Sequence, residues 1–143
     1  MQYGLIIWGA DPHVDRVFKL QKKAVRILTK AKYNAHCVPL FRALKIMTLP
    51  SLFVFVNLLY AKRNLSKFQI VEEIHSHNTR SASDIRLPFH SVNKQKYGPN
   101  YWSLKLYNAL PLETRALPEN SFKKVMKKQL SEICLYKFKD FLN

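Results

Sequence analysis

The sequence predicts a small, mostly α domain of about five helices with a long, poorly periodic loop in its middle. Three observations carry that prediction. Apolar residues recur at the three- and four-residue spacing of a helix face in residues 14–30, 101–110 and 121–133. Residues 49–61 are apolar nearly all round, as in a buried helix. The strand candidate, residues 85–92, holds Pro88 inside it, which demotes it to an edge strand or loop. A chain of 143 residues suits one domain, 1–143, with residues 66–100 as a loop-rich insertion.

The apolar run 3–8 (YGLIIW) is short enough to be helix or strand and needs something to pack on. The next segment, 14–30, carries Val14, Val17, Phe18, Gln21, Ala24, Val25 and Leu28 on one face, with Asp11 and Pro12 placed where a cap and an early proline are tolerated. Its other face is basic: Arg16, Lys19, Lys23, Arg26 and Lys30 recur with the helical period. As a helix it is roughly 25 Å long, enough to lie along several phosphates. Residues 38–44 read as a helix with Pro39 in its first turn and Leu40, Phe41 and Leu44 inward.

Thr48 and Pro50 open the apolar helix at 49–64, whose last turn carries Lys62 and Arg63 at the negative end of the helix dipole. From 66 to 96 periodicity is lost among His, Ser, Asn and Arg, and a loop of that length suits a segment that meets a partner or stays mobile. Tyr97-Gly98-Pro99-Asn100 signals a turn. Residues 101–110 place Trp102, Leu106 and Leu110 on one side and stop at Pro111. The last helix is expected to start at Ser121 as N-cap, with Phe122, Val125, Met126, Leu130 and Ile133 facing the core. Lys123, Lys124, Lys127 and Lys128 lie off that face and make a second basic surface.

Charge points to the partner. The chain holds 24 Lys and Arg against 9 Asp and Glu, a net +15, and self-repulsion on that scale is relieved by a polyanion. RNA or DNA comes first among such partners and an anionic membrane surface second. Residues 1–8 make a poor signal peptide, and 49–61 is too short to span a bilayer and is interrupted by Pro50 and Asn57. Cys37 and Cys134 are too few for a disulfide framework. These features predict an intracellular protein, in nucleus or cytoplasm, with no membrane span.

Catalysis is not expected. The acids are scattered, no paired-Asp turn exists to hold two metal ions, and Gly4, Gly9 and Gly98 are too far apart for a phosphate-cradling loop. No cofactor is implied. His36, Cys37, His75 and His77 are the right residue types for zinc, but their spacing fits no usual pattern. The histidines read better as bland loop residues, with His36 capping a turn. Tyr101, Trp102 and Tyr107 are the right type to stack on bases, although their helical spacing favours a core role. His77-Asn78-Thr79-Arg80 is donor-rich and suits a phosphate contact or a tie within its own loop.

Taken in order, Tyr3-Gly4 with Trp8-Gly9, Leu20-Gln21-Lys22-Lys23-Ala24-Val25-Arg26, His36 with Pro39-Leu40-Phe41 and Lys45-Ile46, His77-Asn78-Thr79-Arg80, Gly98-Pro99 with Trp102, Asn108-Ala109-Leu110-Pro111 and Phe122-Lys123 resemble the region after the catalytic palm in non-LTR retrotransposon reverse transcriptases. The resemblance runs along essentially the whole chain and is strongest to the jockey-like and CR1-like mobile elements of insects and vertebrates. It implies a helical thumb and post-thumb segment of an RNA-directed DNA polymerase, holding the template–primer duplex. It implies that fingers and palm, with the catalytic Asp pair, lie ahead of Met1, and that the palm is itself a partner. Tyr107 stands where the family usually has Trp, and the C-terminus lacks a Cys/His knuckle.

The functional expectation is therefore a fragment that binds RNA or an RNA–DNA or DNA duplex and is no enzyme on its own. Arg16, Lys19, Lys23, Arg26 and Lys30 are expected to meet the phosphates, with Arg80, Lys123 and Lys127 as secondary contacts and no catalytic or metal-binding residue. The alternative is a domesticated or truncated interaction module whose basic faces bind an acidic protein.

Overall fold

The most apolar stretch of the sequence becomes the axis of the molecule. In the computed structural model, which describes residues 4–70, 83–88 and 99–142, helix α4 (Leu49–Arg63) buries Leu49, Leu52, Phe53, Val54, Phe55, Leu58, Leu59 and Ala61. These positions lie all round the helix, so other elements must enclose it. α5 (Pro99–Asn108) packs along it most extensively, followed by α7 (Glu119–Ile133). α1 (Leu5–Trp8), α2 (Val14–Leu28) and a 3-10 turn at Phe138–Leu142 close the remaining sides. α3 (Cys37–Ala43) bridges α2 and α7, and α6 (Leu112–Ala116) links α5 to α7. The described residues thus hold seven α-helices, five of them of seven residues or more, around one core. None is long and apolar enough to cross a membrane.

Polar groups fix the N-terminal end of α4. The Thr48 hydroxyl accepts from the Ser51 N–H at 3.3 Å and donates to the Leu135 carbonyl at 2.6 Å. The Leu135 N–H in turn donates to Ser51 Oγ at 3.0 Å, so the chain leaving α7 is tied to the cap of α4. Gln21 does the same from α2. Its amide donates to the Met47 carbonyl at 3.0 Å and its Oε1 accepts from the Leu49 N–H at 2.8 Å. Gln21 is buried, so Gln21→Leu strands two backbone groups. We expect a loss of about 1–3 kcal/mol, seen as a lower denaturation midpoint at unchanged slope. Midway along α4, buried Asn57 donates to the Phe53 carbonyl and accepts from the Ser103 hydroxyl of α5, both at 2.8 Å.

Several expectations need correction. α2 ends at Leu28, not at residue 30: Lys30 takes the left-handed conformation (φ 52°) and its N–H bonds the Ile27 carbonyl. Ala24 and Leu28 are exposed, because α2 buries only Phe18, Gln21 and Val25. α7 opens two residues before Ser121. Pro118 presets the entry, and Glu119 occupies the first turn, where a carboxylate suits the helix dipole. At its other end Ile133 is exposed, and Cys134 reverses the chain at φ 54°.

The short helix α6 carries no periodic signal and was not expected. Of the apolar run 3–8, residues Leu5–Trp8 form one helical turn, α1, with Leu5 buried. Gly9 ends that turn where a Cβ would sit 2.2 Å from Phe53 Cδ2 and 2.6 Å from the Leu5 carbonyl oxygen, an approach only glycine permits. Of the strand candidate 85–92, residues 85–88 are described and form a single antiparallel bridge between Ile70 and Ile85.

Candidate nucleic-acid interface

The five-cation stripe expected on α2 is divided by the fold. Arg16, Lys19 and Lys23 sit at intervals of three and four on the solvent side of the helix, all exposed. Arg26 is only partly exposed, and its Nε donates to the Ala35 carbonyl at 3.0 Å, tying the α2–α3 connection to the helix. Lys30 is exposed but lies beyond the helix end. Lys22 is drawn inward, with Nζ 4.8 Å from the Phe18 ring centre and 5.4 Å from that of Tyr136.

A more concentrated basic surface forms where α3 meets α7. The Arg42 guanidinium, at the end of α3, donates to the Glu132 carbonyl near the end of α7 at 2.8 Å. Lys45, three residues on, projects from a left-handed turn (φ 53°). Across from them α7 presents Lys124, Lys127 and Lys128 on adjacent turns. Together they line a groove of about 880 Å³ that includes a single carboxylate residue, Glu132. Lys45, Lys124, Lys127 and Lys128 are exposed and make no ion pair among the described residues. Beneath the groove, burial pushes the Cys134 thiol up, against the pull of the Arg42 guanidinium.

Of the secondary contacts, Lys123 and Lys127 are exposed on α7 and line a hollow on its other side together with Arg63. Arg63 is bound to Glu119, Nε to Oε1 2.7 Å. Arg80 lies outside the described residues, as do His75, His77, Asn78 and Thr79. Sequence reasoning missed Arg42 and Lys45. Their spacing was visible, but nothing local says that the end of α3 meets a helix ninety residues later.

Other cations and aromatics serve the fold. Lys62 Nζ donates to the Arg115 carbonyl at 2.5 Å, and burial lowers its pKa against the opposing pull of Glu119. Arg115 holds Asp84 at 2.9 Å and the Leu110 carbonyl at 2.8 Å, and also bonds the Asn108 carbonyl. The Asn108 side chain pairs with both backbone groups of Ile85, at 2.8 and 3.0 Å, as a neighbouring strand would. The Asn108–Pro111 phrase thus clamps residues 83–88 onto α5. Tyr107 is buried and its hydroxyl donates to the Arg115 carbonyl at 3.3 Å, which removes it from base stacking. Half-buried Trp102 meets Phe138 edge-on at 4.9 Å and Tyr101 at 5.2 Å.

His36 stands at the N-cap of α3 but makes no capping bond, contrary to expectation; its ring stacks on Tyr136 at 6.4 Å. Cys37 is buried. Among the described residues no cluster of three or more His, Cys, Asp or Glu is placed to hold a metal ion. Compared with protein-family models, curated proteins and solved structures, the chain matches none.

Proposed function

We propose that the chain is a nucleic-acid-binding helical segment of the thumb and post-thumb kind found in non-LTR retrotransposon reverse transcriptases. In this reading it grips the phosphates of a template–primer duplex, in nucleus or cytoplasm, while a palm supplies the chemistry. One observation carries it: Arg42, Lys45, Lys124, Lys127 and Lys128 converge on one groove, with one acid among them, in a chain of net charge +15. Among the described residues only two cations are neutralised by ion pairs, Arg63 and Arg115, so the positive field at the groove is left for a ligand. In this reading the α3–α7 groove is the principal contact rather than the α2 stripe, because Arg26 is tied to the Ala35 carbonyl and Lys30 lies beyond the end of α2.

Salt dependence tests the reading. Four or five phosphates neutralised in the groove predict a log–log slope of about −4 for binding to a fluorescein-labelled RNA–DNA duplex. Affinity then falls by roughly two to three decades between 50 and 200 mM salt. A slope near zero, or no binding in dilute buffer, rejects nucleic acid as the ligand.

A further inference from the structure

Phosphate binding leaves one feature of α2 unexplained. Val17, Leu20, Ala24 and Ile27 follow one another at intervals of three, four and three, the a/d spacing of a coiled-coil seam. The fold covers only the first position of this seam, where Val17 is half-buried against the core, and leaves the other three open. Leu20 is 61% and Ile27 76% exposed, Ala24 is exposed, and the core is served by Phe18, Gln21 and Val25 on a different face. A sugar–phosphate backbone offers nothing that would shelter two large aliphatic side chains from water. A facing helix does, by packing apolar knobs between them.

Charge selects among helices. In this register Arg16 and Lys23 occupy the g positions beside the seam, and both are exposed. An antiparallel second copy sets these cations against their own counterparts. A parallel copy sets Lys23 against Leu28. Carboxylates opposite Arg16 and Lys23 turn both positions into ion pairs, which is how flanking charges choose a coiled-coil partner. We propose that the outer face of α2 seats an acidic amphipathic helix of a partner protein, about two heptads long, apolar at a and d and carrying Glu at its flanks. The seam is a different surface from the α3–α7 groove, and the proposal stands independently of nucleic-acid binding.

The test uses the full chain and a fluorescein-labelled designed 21-residue helix with Leu at a and d and Glu at e and g. Two control helices carry Ala at a and d, or Lys at e and g. At 150 mM salt the Leu/Glu helix binds, and both controls bind at least roughly tenfold more weakly. Leu20→Gln with Ile27→Gln lowers its affinity by at least about tenfold with unchanged far-UV circular dichroism, and leaves duplex binding intact. Arg16→Glu with Lys23→Glu weakens it severalfold, whereas Lys124→Glu, Lys127→Glu and Lys128→Glu together have little effect. Equal binding of either control helix, or of the Leu20/Ile27 variant, overturns the proposal. So does sedimentation showing a dimer that this variant abolishes, which assigns the seam to a second copy. Binding to phosphatidylserine vesicles that the same variant abolishes assigns it to a membrane and likewise overturns it. Failure of duplex binding alone, with helix binding retained, refutes only the nucleic-acid reading.

Discussion

Under the proposed nucleic-acid reading, replacing Lys124, Lys127 and Lys128 together with Glu is expected to lower affinity for an RNA–DNA duplex by at least roughly two decades at 100 mM salt, and to flatten the salt slope from about −4 to about −1. The size follows from the groove's geometry. Three of its five cations come from adjacent turns of α7, so the substitution removes three counterion-releasing contacts and adds three charges that repel phosphate. Arg42 is held by the Glu132 carbonyl and Lys45 projects from a turn, so neither compensates. The helix itself survives, because Glu and Lys have similar helix propensity and all three positions are exposed. Lys19→Glu with Lys23→Glu is the comparison. If that pair abolishes binding while the α7 triple leaves it intact, phosphates lie along α2 and the groove assignment fails.

Phe53→Ala costs about 3–5 kcal/mol, the range for losing a fully buried aromatic. Phe53 is 1% exposed and meets Phe138 edge-on at 4.9 Å. Its ring also lies against Gly9, where even a methyl group would collide with it. The cavity therefore opens between α1, α4 and the C-terminal turn at once, where no single side chain can relax to fill it. For a domain of this size the melting temperature should fall by about 10–20 °C. Phe53→Leu, which keeps most of the volume, should lose less than half as much. A melting temperature within a few degrees of the parent for Phe53→Ala would show that α4 is not the centre of the core. Neither variant touches the groove, so the duplex binding proposed for it is expected to persist wherever the chain remains folded.

Helices α2, α5 and α7 could be read from periodicity because each is set by a pattern a few turns long. Continuous apolarity identified α4 as the buried axis, and Phe122, Met126 and Leu130 marked the inner face of α7. Ends were less legible. Lys30 and Cys134 adopt left-handed conformations without the glycine that ordinarily announces them, and Pro118 rather than Ser121 sets the start of α7. The apolar face of α2 is narrower than its period suggests, since Ala24 and Leu28 share that period but are exposed.

What the sequence determined by itself was local: where helices form, which stretch is greasy enough to be central, and that the chain carries a net charge of +15. Which cations lie together was decided only by tertiary structure. Arg42 reaches Glu132 across ninety residues, and Arg26 turns back to Ala35. Helical period fixes only which side chains share a face of one helix; whether that face meets core, solvent or another helix's cations depends on how the elements pack around α4.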